Sequence, residues 1–427
     1  MVAGPYLLGI DVGTSESKGT ITDPEGRVVA QAAVAHGLSM PRPGWVEHDA
    51  DRVWWSDFCQ LCRTLLGESG LSGDAIGAVG CSAIAPCVLP VDRAGRPLRP
   101  AILYGIDTRA TRQIAALERE LGRERILQVG GNALSTQSVG PKIRWLYDEE
   151  REVYQAAARF LTGTSYLVFR LTGEYVVDLY TAWSYGPLFN IRALCWDAEM
   201  CAAVVEEDRL PALRWSSEVV GTITPAAAEE TGLAAGTPVI AGTADAAAEA
   251  VSVGVVAQGQ MMCMYGSTLF FIQVVDRLVV DERLWTSVYL FPGTCALVGG
   301  LGTSGSITRW FRDNFAAAEI EAEQHTGRSA YAQLAEQAGA VPPGCEGLLV
   351  LPYFAGERTP INDPLARGVI AGLSLSHTRG HVYRAILEGT AYGVRHHLEV
   401  MRELGCGPRD VVAVGGGGCA TVSGCRS

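Results

Sequence analysis

The feature that most constrains the fold is a junction that occurs twice, in which a short apolar run ends in a small, acidic, glycine-containing bend. Residues 6–10 lead straight into Asp11-Val12-Gly13-Thr14-Ser15, and much later Val239-Ile240-Ala241 leads into Gly242-Thr243-Ala244-Asp245. A short apolar run bounded by turn residues reads as a buried strand. Glycine and small hydroxyl residues at its end leave backbone N–H groups free to approach an anion. After the first bend, Gly19-Thr20-Ile21-Thr22 resumes strand-like alternation and Pro24-Glu25-Gly26 supplies a turn, so the chain opens as a β-hairpin. The echo between LLGIDVGTS and VIAGTADAA predicts a duplicated fold whose two bends face each other.

A chain of 427 residues is too long for one ordinary core. It suits two domains of roughly 200 residues each, with a cleft between them. The turn Ala235-Gly236-Thr237-Pro238 marks the expected boundary, giving domains 1–236 and 237–427. With 48% apolar and 19% charged residues and 50 scattered glycines, the composition is that of a globular α/β enzyme. A net charge of -12 without a basic stripe argues against nucleic acid or anionic lipid and for a small-molecule partner. The first ten residues lack the basic flank of a signal peptide, and no apolar run approaches the roughly 18 residues of a membrane span. A cytoplasmic protein is expected. The twelve cysteines then read as reduced, mostly buried thiols. Cys59 and Cys62 form a lone C-x-x-C in the helical pattern 54–66, and core packing explains them better than zinc.

Further along, residues 28–35 continue the opening strands, and Asp49 or Asp51 can cap a helix over 52–67. Strands are expected at 75–82 and 87–91, and 111–170 is helix-rich. Residues 261–264 and 269–274 are strand-like runs around Tyr265-Gly266-Ser267-Thr268, another bend with backbone donors and hydroxyls. A third glycine set, 299–305, precedes a helical pattern at 307–315.

The order DVGTSESKG, PGWVEHD, GTAD, YGST and a late GGGG resembles the FGGY carbohydrate kinases. So does the late segment 368–388, where GVIAGL is followed after seven residues by HVYRAILE. The resemblance extends from residue 6 to about 418. It implies two actin-like, ribonuclease H-like α/β domains with a catalytic cleft between them, and ATP-dependent phosphorylation of a terminal hydroxyl of a ketose or polyol, with a xylulose-like sugar the first guess. It implies Asp245 as general base and substrate ligand, and Asp11 as the Mg²⁺ carboxylate, acting through water. Thr14, Ser15 and Lys18, with Gly266, Ser267 and Thr268, would line the ATP phosphates. Gly302, Gly305, Gly416 and Gly417 would contact the nucleotide. Ser82, Ala83, Ile84 and Asp107 would meet the sugar, with Arg109 equally suited to an ion pair.

Xylulokinases of this family commonly carry Gln-Met-His-Gly where this chain has Ser82-Ala83-Ile84-Ala85-Pro86, so the polar pair that would grip a pentulose is missing. Trp183 and Tyr185 are candidates to stack on a sugar face, with packing at a domain edge the commoner role for such aromatics. His48 is read as lying in a surface turn, and neither it nor His396-His397 is assigned a catalytic role. The expected partner is a sugar or polyol, with a homodimer as an admissible assembly and neither nucleic acid nor membrane. After Gly418 the family continues through a further helix, whereas this chain reads CATVSGCRS. A truncated second domain is therefore expected, and a fragment that binds without turnover is the alternative reading. A sugar-independent actin-like ATPase is a third.

Overall fold

The computed structural model describes residues 5–415. They fall into two compact units. The first runs to Val251 and includes Ser287–Cys295, and the second holds Ser252–Thr286 and the residues from Ala296 onward.

The first unit is built on a seven-stranded sheet. Its strands are β1 (Tyr6–Val12), β2 (Glu16–Thr22), β3 (Val28–Ala35), β4 (Ile76–Ala83), β5 (Val219–Thr222), β6 (Pro238–Ile240) and β7 (Thr243–Ala244). The order is β5-β6-β4-β1-β2-β3, with β7 paired to β4. β1, β2 and β3 form the expected antiparallel meander, while β4 runs parallel to β1, β6 and β7. Leu8, Ile10 and Val12 alternate into the core from β1, the period-2 pattern of a strand. Helix α1 (Ser56–Ser69) covers that face with Phe58, Leu61, Cys62 and Leu65, spaced for one helical stripe. It stops at Gly70, whose left-handed φ of 68° suits glycine. Helix α2 (Gly163–Thr172) is capped by the Thr162 hydroxyl, which accepts from Ser165 N, and packs its apolar face into the same core.

The expected boundary at 236/237 is corrected by this sheet. β6 pairs with β4 and β5, so the second acidic bend completes the first sheet instead of opening a second one, and the division falls after Val251. The echo between the two bends is a repeat within one unit.

In the second unit β8 (Gln260–Tyr265) and β9 (Leu269–Val275) form an antiparallel hairpin, and β10 (Asp410–Val414) pairs parallel to β8. Helices α4 (Gly305–Phe315) and α5 (Arg379–Glu403) contribute Ile307, Phe311, Tyr383 and Ile386 to a common core. Helix α3 (Asp245–Ser252) follows β7.

Gly242 makes the return of the chain to β4 possible. Its φ is +71°, and a Cβ there would lie 2.2 Å from the Cys81 carbonyl oxygen. Both the dihedral and the contact exclude a side chain. Gly242→Ala is expected to lower stability by about 2 kcal/mol, read as a reduced midpoint in urea unfolding followed by circular dichroism. An unchanged midpoint would show that the segment closes against β4 by other means.

Candidate active site

Strand register assembles the site. Asp11 on β1 pairs with Lys18 on β2 and with Ser82 on β4, and Ser82 pairs with Thr243 on β7. In-register partners share a face of the sheet, so residues far apart in sequence lie in one row at the strand ends. Ser82 Oγ donates to Asp11 Oδ1 at 2.7 Å. Asp245 begins two residues after Thr243 and is the first residue of α3, where its Oδ1 accepts from Ala246 N at 2.7 Å.

The electrostatics of this corner are dominated by carboxylates. Burial raises the Asp245 pKa to about 8, and the charges of Asp11 and Glu249 add to the rise. Burial also raises Asp11, against the Ser82 hydrogen bond and the Lys18 charge that lower it. Glu249, one turn along α3, is raised by burial and by Asp11, with Lys18 opposing. The Asp11 charge helps to raise both Asp245 and Glu249, and a divalent ion among these carboxylates would relieve the repulsion between them when they ionise. The donor set therefore fits Mg²⁺ held through water. Among the described residues no three His, Cys, Asp or Glu side chains converge into a closed metal cage.

The opening hairpin holds the residues predicted for the phosphate side. Gly13 N donates to Glu16 O at 3.0 Å and closes the bend, Ser15 is exposed, and Thr14 Oγ1 lies 3.1 Å from Tyr104 Oη. Lys18 is mostly exposed and pairs with Glu16 at 3.3 Å.

The predicted sugar residues fare differently. Ala83 and Ile84 are buried in the core cluster, and Ile84 N is spent on Val12 O. Their side chains hold the sheet. Asp107 is likewise enclosed, its carboxylate accepting from Val46 N at 2.7 Å and from Arg109 Nη2 at 2.7 Å. Arg109 also reaches Glu47, which Arg99 joins, and lies 4.1 Å over the Trp45 ring. A carboxylate with its lone pairs occupied and no exposed side-chain surface has none left for a sugar hydroxyl, so Asp107 and Arg109 form a structural ion pair. Tyr185 is fully buried with its hydroxyl on Phe160 O, so its ring packs the core. His48 is buried, not in a surface turn. Trp54 Nε1 donates to its Nδ1 at 3.0 Å, and burial lowers its pKa to about 4.

In the second unit Gly266 and Ser267 form an exposed bend, with Thr268 half-buried. Ser304, Gly305 and Ser306 donate backbone N–H groups to Ser267 O, Gly266 O and Ser267 O, docking the third glycine set beneath it. A Cβ on Gly305 would lie 2.5 Å from Gly266 O. Gly302 N is occupied by Glu357 Oε1 at 2.7 Å. Gly302 and Gly305 are thus close-packing positions whose own N–H groups are used internally. Gly416, Gly417 and the CATVSGCRS tail lie outside the described residues.

Sequence reasoning passed over Asp178. It is fully buried and accepts from Ser216 Oγ at 2.9 Å and Thr243 Oγ1 at 2.8 Å, tying down the strand that precedes Asp245. No local motif announces it, because its partners come from two distant segments.

The sequence models of the N-terminal and C-terminal domains of the FGGY family of carbohydrate kinases match residues 6–252 and 261–426. The xylulose kinase of Escherichia coli (strain K12) is 30% identical over 96% of this chain and 81% of its own length. The glycerol kinase of Nocardia farcinica is 33% identical over 93% of this chain and 78% of its own. The crystal structure of xylulose kinase from Rhodospirillum rubrum superposes with a TM-score of 0.90 at 32% identity, covering 98% of this chain and 83% of that one.

The raised Asp245 has a stability signature. The folded chain keeps its proton up to about pH 8, whereas the unfolded chain releases it near the ordinary value of 3.8. Between these values the fold binds more protons, so this group makes stability fall as pH rises. Asp245→Asn cannot ionise. Its melting temperature minus that of the wild type should be near zero at pH 4 and increasingly positive towards pH 8, measured by differential scanning calorimetry. A difference independent of pH would show that Asp245 is not held protonated by its surroundings.

Proposed function

Because this chain belongs to the FGGY family of carbohydrate kinases, we propose that it transfers the γ-phosphoryl group of ATP to a hydroxyl of a neutral sugar or polyol, with Asp245 as the general base. An ATP-dependent kinase with an alcohol acceptor is what the family and its xylulose and glycerol kinase relatives share. The observation that carries the finer reading is the row Lys18, Asp11, Ser82, Thr243 with Asp245 directly beyond it.

Asp245 accepts the proton of the attacking hydroxyl, which then forms a bond to the γ-phosphorus as the bond to the β-phosphate oxygen breaks and ADP departs. A base with a pKa near that of its working medium suits a proton taken late in the step. Asp11 would hold Mg²⁺ through water, where the ion neutralises phosphate charge. The hairpin bend with Lys18 binds phosphate oxygens, and the exposed Gly266-Ser267 bend of the second unit offers backbone donors of the same kind. Ser82 orients Asp11. The xylulose and glycerol kinase relatives make a xylulose-like ketose or a polyol the first acceptors to try. No helix among the described residues is long and apolar enough to cross a membrane. The free cysteines accord with a reducing cytoplasm, where ATP is supplied.

The test is acceptor-dependent ADP release from Mg-ATP against xylulose, ribulose, xylitol, glycerol and gluconate. A neutral acceptor should support turnover, and Asp245→Asn should lower kcat about 100-fold or more while sugar affinity is retained. ATP hydrolysis indifferent to every acceptor, or full turnover by the Asn variant, would overturn the reading. On the acid side, kcat/KM should fall with pH as Asp245 takes its proton, and added Mg²⁺ should move that limb to lower pH.

A further inference from the structure

A nearly enclosed histidine sits behind the bend of the opening hairpin, outside every motif assigned above. His36 follows β3, and its backbone N–H donates to Ser15 O at 2.9 Å. Its side chain is 7% exposed. Nδ1 lies 2.8 Å from Asp57 Oδ2 on α1, and Nε2 lies 3.1 Å from the carbonyl oxygen of Gly13. The same Asp57 oxygen accepts from Ser17 Oγ on β2 at 2.8 Å. The ring of His48, itself held by Trp54, meets that of His36 edge-on at 5.1 Å.

A carboxylate and a backbone carbonyl only accept hydrogen bonds, so each of the two groups facing the ring is a partner for a ring N–H. The bend it supports is tight, since a Cβ on Gly13 would lie 2.7 Å from Glu16 O. In a trans peptide the C=O and the following N–H point in opposite directions. A Gly13 carbonyl drawn towards His36 therefore turns the Thr14 N–H away from the protein interior.

We propose that His36, anchored by Asp57, is a positioning residue for phosphoryl transfer, locking the Gly13 carbonyl inward so that the Thr14 N–H faces the phosphates of ATP. This rests on the reading of the hairpin as a phosphate site. Lys18 is mostly exposed and bound to Glu16, so the ordering of the bend falls to the buried pair behind it.

The experiment compares wild type, His36→Gln, Asp57→Asn and Ser17→Ala in direct binding of Mg-ADP by calorimetry, in KM for ATP and for the sugar, and in melting temperature. His36→Gln should raise Kd for Mg-ADP and KM for ATP together by about ten-fold. Sugar KM should stay at the wild-type value. Asp57→Asn should move the same two quantities in the same direction, and Ser17→Ala, which leaves the His36 bridge in place, should move neither. If His36→Gln does not fold, Asp57→Asn decides. Unchanged nucleotide affinity in a folded variant would overturn the proposal, as would parallel losses of sugar and nucleotide affinity that track the melting temperature. An amide NMR signal of Thr14 in the wild type that ADP leaves unmoved would instead overturn the phosphate reading of the hairpin, and this proposal with it.

Discussion

The candidate active site depends on one constraint, the register in which β1 pairs with β2 on one side and β4 on the other. Side chains alternate across a strand, so a slip of one residue would send Asp11 into the apolar core and bring Ile10 or Val12 to the site. The slip is prevented by Leu8, Ile10 and Val12, which have buried partners only in the observed register. Core packing thereby sets the positions of Lys18, Asp11, Ser82 and Thr243, and through Thr243 that of Asp245. The site needs no positioning device of its own at this level, because the hydrophobic face and the polar row are opposite sides of the same pairing.

Two groups of acids in the first unit, one buried and one half-buried, show how environment divides residues of one type between structure and chemistry. Asp107 and Glu47 meet Arg109 and Arg99 directly, with Trp45 and Trp145 over the guanidinium of Arg109. Their charge is cancelled in place, and the cluster backs the pairing of the Glu47–His48 strand with Ala101–Ile102. At Asp11, Asp245 and Glu249 burial outweighs the opposing influences and raises all three, Lys18 pulling the other way at Asp11 and Glu249. Uncompensated charge costs stability, and it is tolerated where a ligand cation or a transferable proton makes use of it. Asp178 stands between these cases. It is buried without a cation, yet the hydroxyls of Ser216 and Thr243 satisfy it, and it serves the site by holding a strand in place.

Much of this was legible in the sequence. The opening meander, the β8–β9 hairpin and helix α4 follow their periodicity closely, because each is built from contacts between neighbours in the chain. The acidic bends were recognisable, and the motif order identified the family. The residues offered as sugar contacts whose side chains are buried share a physical reason. Asp107, Ala83, Ile84 and Tyr185 sit in or beside motifs, but whether a side chain meets a ligand or a buried partner depends on what other segments bring to it. Arg109, Val12 and Phe160 decided those cases. His48 was read as a surface residue for the same reason, since Trp54 and His36 cover it.

The boundary between the units makes the same distinction at larger scale. A turn rich in glycine and proline at 235–238 announces a break in local structure, and one exists there. It does not say which sheet the next strand will join, and β6 joins the first through β4. The sequence by itself determined the family, the strand and helix pattern, and the presence of an acidic residue at the second bend, because local propensity and motif order carry that information. Only the tertiary structure decided that Asp11, Ser82, Thr243 and Asp245 lie in one corner, that Asp107 is spent on Arg109, and that His36 backs the bend of the opening hairpin. Each of these depends on pairings between segments distant in the chain, which no local pattern encodes.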